Sequence, residues 1–249
     1  HRDLHSFPTR RSSDLKRLHE YKRQLLNALH ILDTYYKLKA DPNMDIPAKT
    51  YIFAAKAAPS YYMAKQIIRL IYEIGEMVNK DPVVSKKLKV VFLENYRVSL
   101  AEKIIPAADV SEQISVAGTE ASGTSNMKFM INGAVTIGTM DGANVEIHQR
   151  VGDENIFIFG MNADEVDALS RNGYEPARYY NQDFRIKCII DGLRQGINGV
   201  KFNEIADSLV MGSDTYKVLA DFASYCDAQD RMNAAYLDSE RWARMSIMN

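Results

Sequence analysis

Two short, continuously apolar runs, Thr50–Ala55 (TYIFAA) and Lys89–Leu93 (KVVFL), flank a stretch of helical period at Tyr61–Val78. No other feature constrains the fold as strongly. A run apolar at every position is buried on both faces, which is the habit of strands in parallel sheets. Two such strands joined by a helix make a crossover unit, with the helix laid on one face of the sheet. The alternation continues on either side. At Lys16–Lys39, a wheel of about 100° per residue gathers Leu18, Leu25, Leu26, Leu29, Leu32 and Tyr36 in one arc. Asp41-Pro42 and Pro47 end that helix. Leu100–Ile105 reads as a short helix stopped by Pro106, Gln113–Val116 as a strand and Gly123–Ala134 as a helix. Val135–Thr139 and Ile156–Phe159 are further strands. From Asp164 onward the pattern is helical, with turns at Asn172-Gly173 and Asn198-Gly199. The expected class is α/β with a doubly wound, mostly parallel sheet.

Charge narrows the partners. The 249 residues carry 31 Lys and Arg against 32 Asp and Glu, a net charge of -1. That balance argues against nucleic acid or an anionic membrane as a ligand, since both select a basic excess. Cys188 and Cys226 form no disulfide framework, no Cys/His spacing suits a metal, and no apolar run approaches the ~20 residues of a membrane span. A reduced, cytoplasmic setting is expected.

His1–Leu15 (HRDLHSFPTRRSSDL) stands apart, with no periodic apolar face and no signal-peptide core. Its part His5–Leu15 matches the conceptual translation of a common sequencing adapter. It reads as a non-native leader that packs against nothing, with the natural sequence starting near Lys16.

Chemistry concentrates at Gln113–Ile147. That segment holds only four charged side chains, Glu120, Lys128, Asp141 and Glu146, and five of the chain's 13 glycines. Such composition suits a buried ligand site and equally a buried α/β segment. Lys128 borders an apolar stripe of Met127, Met130, Ile131 and Ala134, so it either snorkels to water or is buried, its amine then neutral and nucleophilic. Ser122-Gly123-Thr124 places backbone N–H groups at that helix's start, a seat for phosphate. A second cluster, Lys16-Arg17 and Lys22-Arg23, sits in a segment of net charge +4. Lys22 falls inside the apolar arc and needs an anion there, either an internal carboxylate or a phosphate that Arg17 could also grip. Arg23 falls on the exposed face, where its loss should be nearly silent.

Four segments together resemble the α-glucan (glycogen, starch or maltodextrin) phosphorylases: Glu120–Glu146 (EASGTSNMKFMINGAVTIGTMDGANVE), Lys16–Asn27, Lys56–Lys65 and Phe92–Asp109. Ser125, where animal members carry Gly, makes the resemblance bacterial-type. It implies that residues 16–249 are an incomplete, Rossmann-like C-terminal half of a GT-B fold that binds pyridoxal phosphate. Lys128 would be the Schiff-base lysine, with Lys16, Tyr96, Arg97, Gly123 and Thr124 around the cofactor. Arg17 and Lys22 would act on the substrate phosphate. Tyr21, Glu120, Ser122 and Gly123 would contact the glucosyl unit. The implied reaction is reversible phosphorolysis of an α-1,4-glucan to glucose 1-phosphate, by a homodimeric parent of an allosteric enzyme family; this segment alone would be inactive. Two other readings keep the fold. A sugar-nucleotide-dependent GT-B glycosyltransferase would not need Lys128, and a non-catalytic binding module would show no affinity for cofactor or phosphate.

Overall fold

The computed structural model describes residues 10–15 and 18–249. Six strands form one sheet in the order β3-β2-β1-β4-β5-β6, and every neighbouring pair is parallel. The strands are β1 (Arg10–Leu15), β2 (Lys49–Ala54), β3 (Leu88–Phe92), β4 (Val110–Gln113), β5 (Val135–Gly138) and β6 (Phe157–Ile158). Helices α1 (Gln24–Ala40), α2 (Tyr62–Lys80), α3 (Val98–Ile104), α4 (Ser125–Ile131) and α5 (Ala143–Val151) lie between them. Six helices follow: α6 (Ala163–Arg171), α7 (Pro176–Gln182), α8 (Phe184–Gln195), α9 (Asn203–Val210), α10 (Val218–Leu237) and α11 (Ser239–Met248). Helix α5 was not anticipated from the sequence.

Alternation along β2 shows the double winding. Tyr51 and Phe53 enter the larger core with Leu26 and Leu29 of α1, Ile190 of α8 and Phe222 of α10. Ile52 and Ala54 face the opposite side, with Leu15, Ile105 and Phe129.

Two sequence expectations are corrected here. His1–Leu15 was read as packing against nothing; His1–Thr9 lies outside the described residues, but Arg10–Leu15 is an interior strand. It pairs with β2 along its whole length and with β4 at Ser12 and Ser13, and only Arg11 is exposed. A ladder is made by backbone N–H and C=O groups, which any residue but proline supplies. The side chains suit the place less well. Ser12 and Tyr225 donate to the buried Glu112 carboxylate, and Arg10 Nη2 donates to Gln229, but the buried Ser13 Oγ has no hydrogen-bond partner among the described residues. Ser13→Ala should therefore raise stability by about 1 kcal/mol, because it removes an unsatisfied buried hydroxyl. Urea unfolding would measure it, and a loss of stability would contradict the assignment.

The second correction concerns the first helix, which starts at Gln24 rather than Lys16. Glu20–Lys22 is a separate 3-10 turn, and Arg23 between the two is left-handed (φ 56°). Arg23 is not on an exposed face either: it is fully buried. Its guanidinium donates to Ile114 O at 2.7 Å and Ser115 O at 3.2 Å, and pairs with Asp221 at 2.7 Å. Those bonds turn the backbone out of the helix. Smaller shifts affect β4, which lies three residues before the expected strand, and α4, which begins only after Thr124.

Candidate functional site

In an open parallel sheet, ligands bind beyond the carboxyl ends of the strands, where the strand order reverses. Here the reversal lies between β1 and β4, and a cavity of about 440 Å³ opens there. Leu15 at the end of β1 and Gln113 at the end of β4 both line it. Around it stand Tyr21 and Lys22 from the 3-10 turn, Glu120 from the loop after β4, and Ser122, Gly123 and Thr124 ahead of α4.

Lys22 and Glu120 form an ion pair at the cavity wall. Burial works against the Lys22 ammonium. The hydrogen bond and charge of Glu120, with smaller contributions from Tyr21, outweigh it and hold the Lys22 pKa above the usual lysine value. Lys22 Nζ also lies 5.1 Å from the centre of the Tyr21 ring, which stacks on His19 at 5.7 Å. Thus the internal carboxylate anticipated for Lys22 exists, and it is itself a cavity residue.

The loop from Ser115 to Glu120 is held from below by Asp141. That carboxylate accepts Ser115 Oγ–H at 2.7 Å, Gly118 N–H at 2.9 Å and Glu120 N–H at 2.9 Å. Asn144 donates to Gln113 O and Thr139 O and accepts from Asn126, tying α5 to α4 beneath the cavity. These residues went unassigned in the sequence. Asp141-Gly142 and Asn144 stand in the charge-poor stretch, which was the one signal available.

Lys16 and Arg17 lie outside the described residues. Lys128 does not line the cavity: it sits on α4 with its side chain exposed, and the expectation that it borders a buried stripe is corrected. Helix α4 buries Asn126 and Phe129, while Met127 and Ile131 face outward beside Lys128. Tyr96 is half-buried in the cluster of Leu15 and Phe129, its phenol pushed up by that burial, whereas Arg97 is exposed with Nε on Ser99.

The turn before α4 lines the cavity with Ser122, Gly123 and Thr124. A Cβ on Gly123 would stand 3.1 Å from Asn126 Oδ1, so a glycine keeps this turn close. Among the described residues no acceptor meets the N–H groups of Gly123 and Thr124. A phosphate seated there would meet these N–H groups, while Lys128, one helical turn further along α4, lies on the exposed side.

No group of His, Cys, Asp and Glu with metal-binding geometry occurs among the described residues, and no described helix is long and apolar enough to cross a membrane.

The family model for carbohydrate phosphorylases matches residues 12–249. Glycogen phosphorylase of Bacillus subtilis (strain 168) is 55% identical over 239 residues, 94% of this chain and 30% of its own length. The muscle-form glycogen phosphorylase of Ovis aries is 54% identical over the same share of this chain and 28% of its own length. The human liver form is 52% identical, again over 28% of its length. The chain thus spans under a third of the curated relatives it matches.

Proposed function

Because the chain belongs to the carbohydrate phosphorylase family, we propose that it is part of an enzyme that cleaves α-1,4-glucans with inorganic phosphate. The observation that carries the reading is the convergence of Lys22, Glu120 and the Ser122–Thr124 turn on one cavity at the strand-order reversal. In this reading residues 16–249 contribute the cofactor-bearing half of the cleft. A reduced, cytoplasmic setting and a homodimeric parent belong to the same proposal.

The residues divide the work by charge. Glu120, Ser122 and the Gly123 backbone would hold sugar hydroxyls, with Tyr21 stacked alongside. Lys22, kept protonated by Glu120, would meet the incoming phosphate together with Arg17. In the reaction the glycosidic C1–O bond breaks and a phosphate oxygen bonds C1. The departing glucan oxygen takes a proton and becomes a free hydroxyl. When bound, pyridoxal phosphate supplies this proton through its own phosphate group by way of the substrate phosphate. Lys128 would tether the cofactor through its amine, while Lys16, Tyr96, Arg97, Gly123 and Thr124 surround it. Two phosphates at close range repel, and the cations with the open N–H groups offset that repulsion.

Borohydride reduction of the full-length protein, followed by peptide mapping, should place a pyridoxyl group on Lys128. Label on a different lysine, or none, would overturn the assignment.

A further inference from the structure

We propose that Asp141 is the positioning residue of this site: it fixes the loop that sets the Glu120 carboxylate against Lys22. The inference deepens the phosphorylase reading and rests on it only for the identity of the ligand.

Asp141 is 6% exposed, and no cation among the described residues pairs with it. A buried carboxylate without a counter-ion is unfavourable unless hydrogen bonds satisfy it. All three donors that do so come from the six residues Ser115–Glu120. The last of them is the N–H of Glu120 itself. Charge-assisted bonds of this kind are the stronger class, and three on one loop define its path closely. The geometry around them tolerates little else. Gly118 and Gly142 both have positive φ (88° and 51°), and a Cβ on Gly142 would stand 3.0 Å from Glu120 O.

From this loop the order reaches Lys22 by two routes. Val116 N–H donates to Tyr21 O at 3.0 Å, which fastens the residue next to Lys22. Ser115 O accepts from Arg23 Nη2 and from Thr139 Oγ1 at 2.6 Å, which fastens the residue on its other side. Asp141 itself touches neither Lys22 nor the Glu120 carboxylate. Its effect passes through the backbone, and displacement of a contact group by about 1 Å is enough to lower reactivity markedly.

The test reads Lys22 directly in the 249-residue chain. Competitive acylation at pH 8.5, followed by peptide mass spectrometry, reports the fraction of each lysine present as free amine. Asp141→Asn puts an amide N–H₂ where backbone donors already point. Lys22 should then acylate about 3- to 10-fold faster, as it loses the carboxylate that holds it protonated. Glu120→Gln should give the same increase, and adding Asp141→Asn to Glu120→Gln should change nothing more. Lys65, exposed on the outer face of α2, should react as in the parent throughout. Ser115→Ala removes one donor without a charge change and should give an intermediate increase, which keeps the test open if Asp141→Asn does not fold. Unchanged Lys22 reactivity in Asp141→Asn and Ser115→Ala would overturn the proposal. An Asp141→Asn increase that persists in full without the Glu120 carboxylate would also overturn it, since Asp141 would then act on Lys22 by itself. Phosphorolysis assays of the full-length protein report separately on the reaction: no glucose 1-phosphate, with the acylation pattern as expected, would remove the phosphorylase reading and leave the positioning role.

Discussion

Arg23→Ala should lower the unfolding free energy by about 3–5 kcal/mol, the cost of leaving one partner of a buried ion pair unmatched. Arg23 has no exposed surface and Asp221 almost none, and the two charges meet at 2.7 Å. Truncation would strand the Asp221 carboxylate, leaving it the N–H of Met161 at 3.1 Å. It would also free the carbonyl oxygen of Ile114, just beyond β4, and leave Ser115 O with only the Thr139 hydroxyl. Urea unfolding with an unchanged m-value would isolate the effect. Replacing both partners, as in Arg23→Met with Asp221→Leu, should recover much of the loss, because two neutral side chains need no counter-charge. A single-mutant cost below about 1 kcal/mol would show that the pair is open to water.

Lys22→Ala and Arg17→Ala, made in the full-length protein, should each lower kcat/KM for phosphate by roughly 30- to 1,000-fold, or about 2–4 kcal/mol in the transition state. The Lys22 change belongs at the upper end. Its removal leaves Glu120 unpaired on the cavity wall, where a carboxylate repels the incoming phosphate. Stability should move little, by about 1 kcal/mol or less, because both partners of the Lys22 pair keep water contact, at 17% and 23% exposure. Steady-state kinetics with phosphate varied, beside denaturation curves, separate the two quantities. An unchanged phosphate response in both variants would end the phosphate-site reading.

The sheet was legible wherever a strand was a short, nearly unbroken apolar run, although β3, at the sheet's edge, leaves Lys89 and Val91 exposed rather than buried on both faces. TYIFAA and KVVFL placed β2 and β3 within a residue of their bounds. Strand β1 carried no such mark, because RRSSDL fills an interior position with polar side chains. Strand β4 misled for a related reason: its VSEQ includes a buried Glu112, whose partners include Ser12 of β1 and Tyr225 and Gln229 of α10, far along the chain. Periodicity extended the first helix back through Arg23, since a wheel has no means of showing one left-handed residue. Of the residues that line the cavity, Ser122, Gly123 and Thr124 were singled out as the start of the Lys128 helix, and Glu120 through the resemblance carried by the same segment. Asp141 was not, because its three donors lie 21 to 26 residues earlier. Lys128 lies on the expected helix and reaches water, the first of its two readings, but the wheel counted Met127 and Ile131 as core, and both look outward.

Strand β1 also separates two things that usually change together, the shape of a cleft and the sequence beneath it. Its ladder to β2 and β4 sets where the strand order reverses, and so where the cavity opens, using main-chain atoms alone. Ser13, whose hydroxyl has no hydrogen-bond partner among the described residues, can therefore be changed without moving a wall of the cavity, whereas Ser12 and Arg10 hold Glu112 and Gln229. Of this strand only Leu15 reaches the cavity lining. The interior of the sheet thus offers positions at which durability can be tuned, while Leu15 and Gln113 at the strand ends line the cavity together with the loops and helix starts above them.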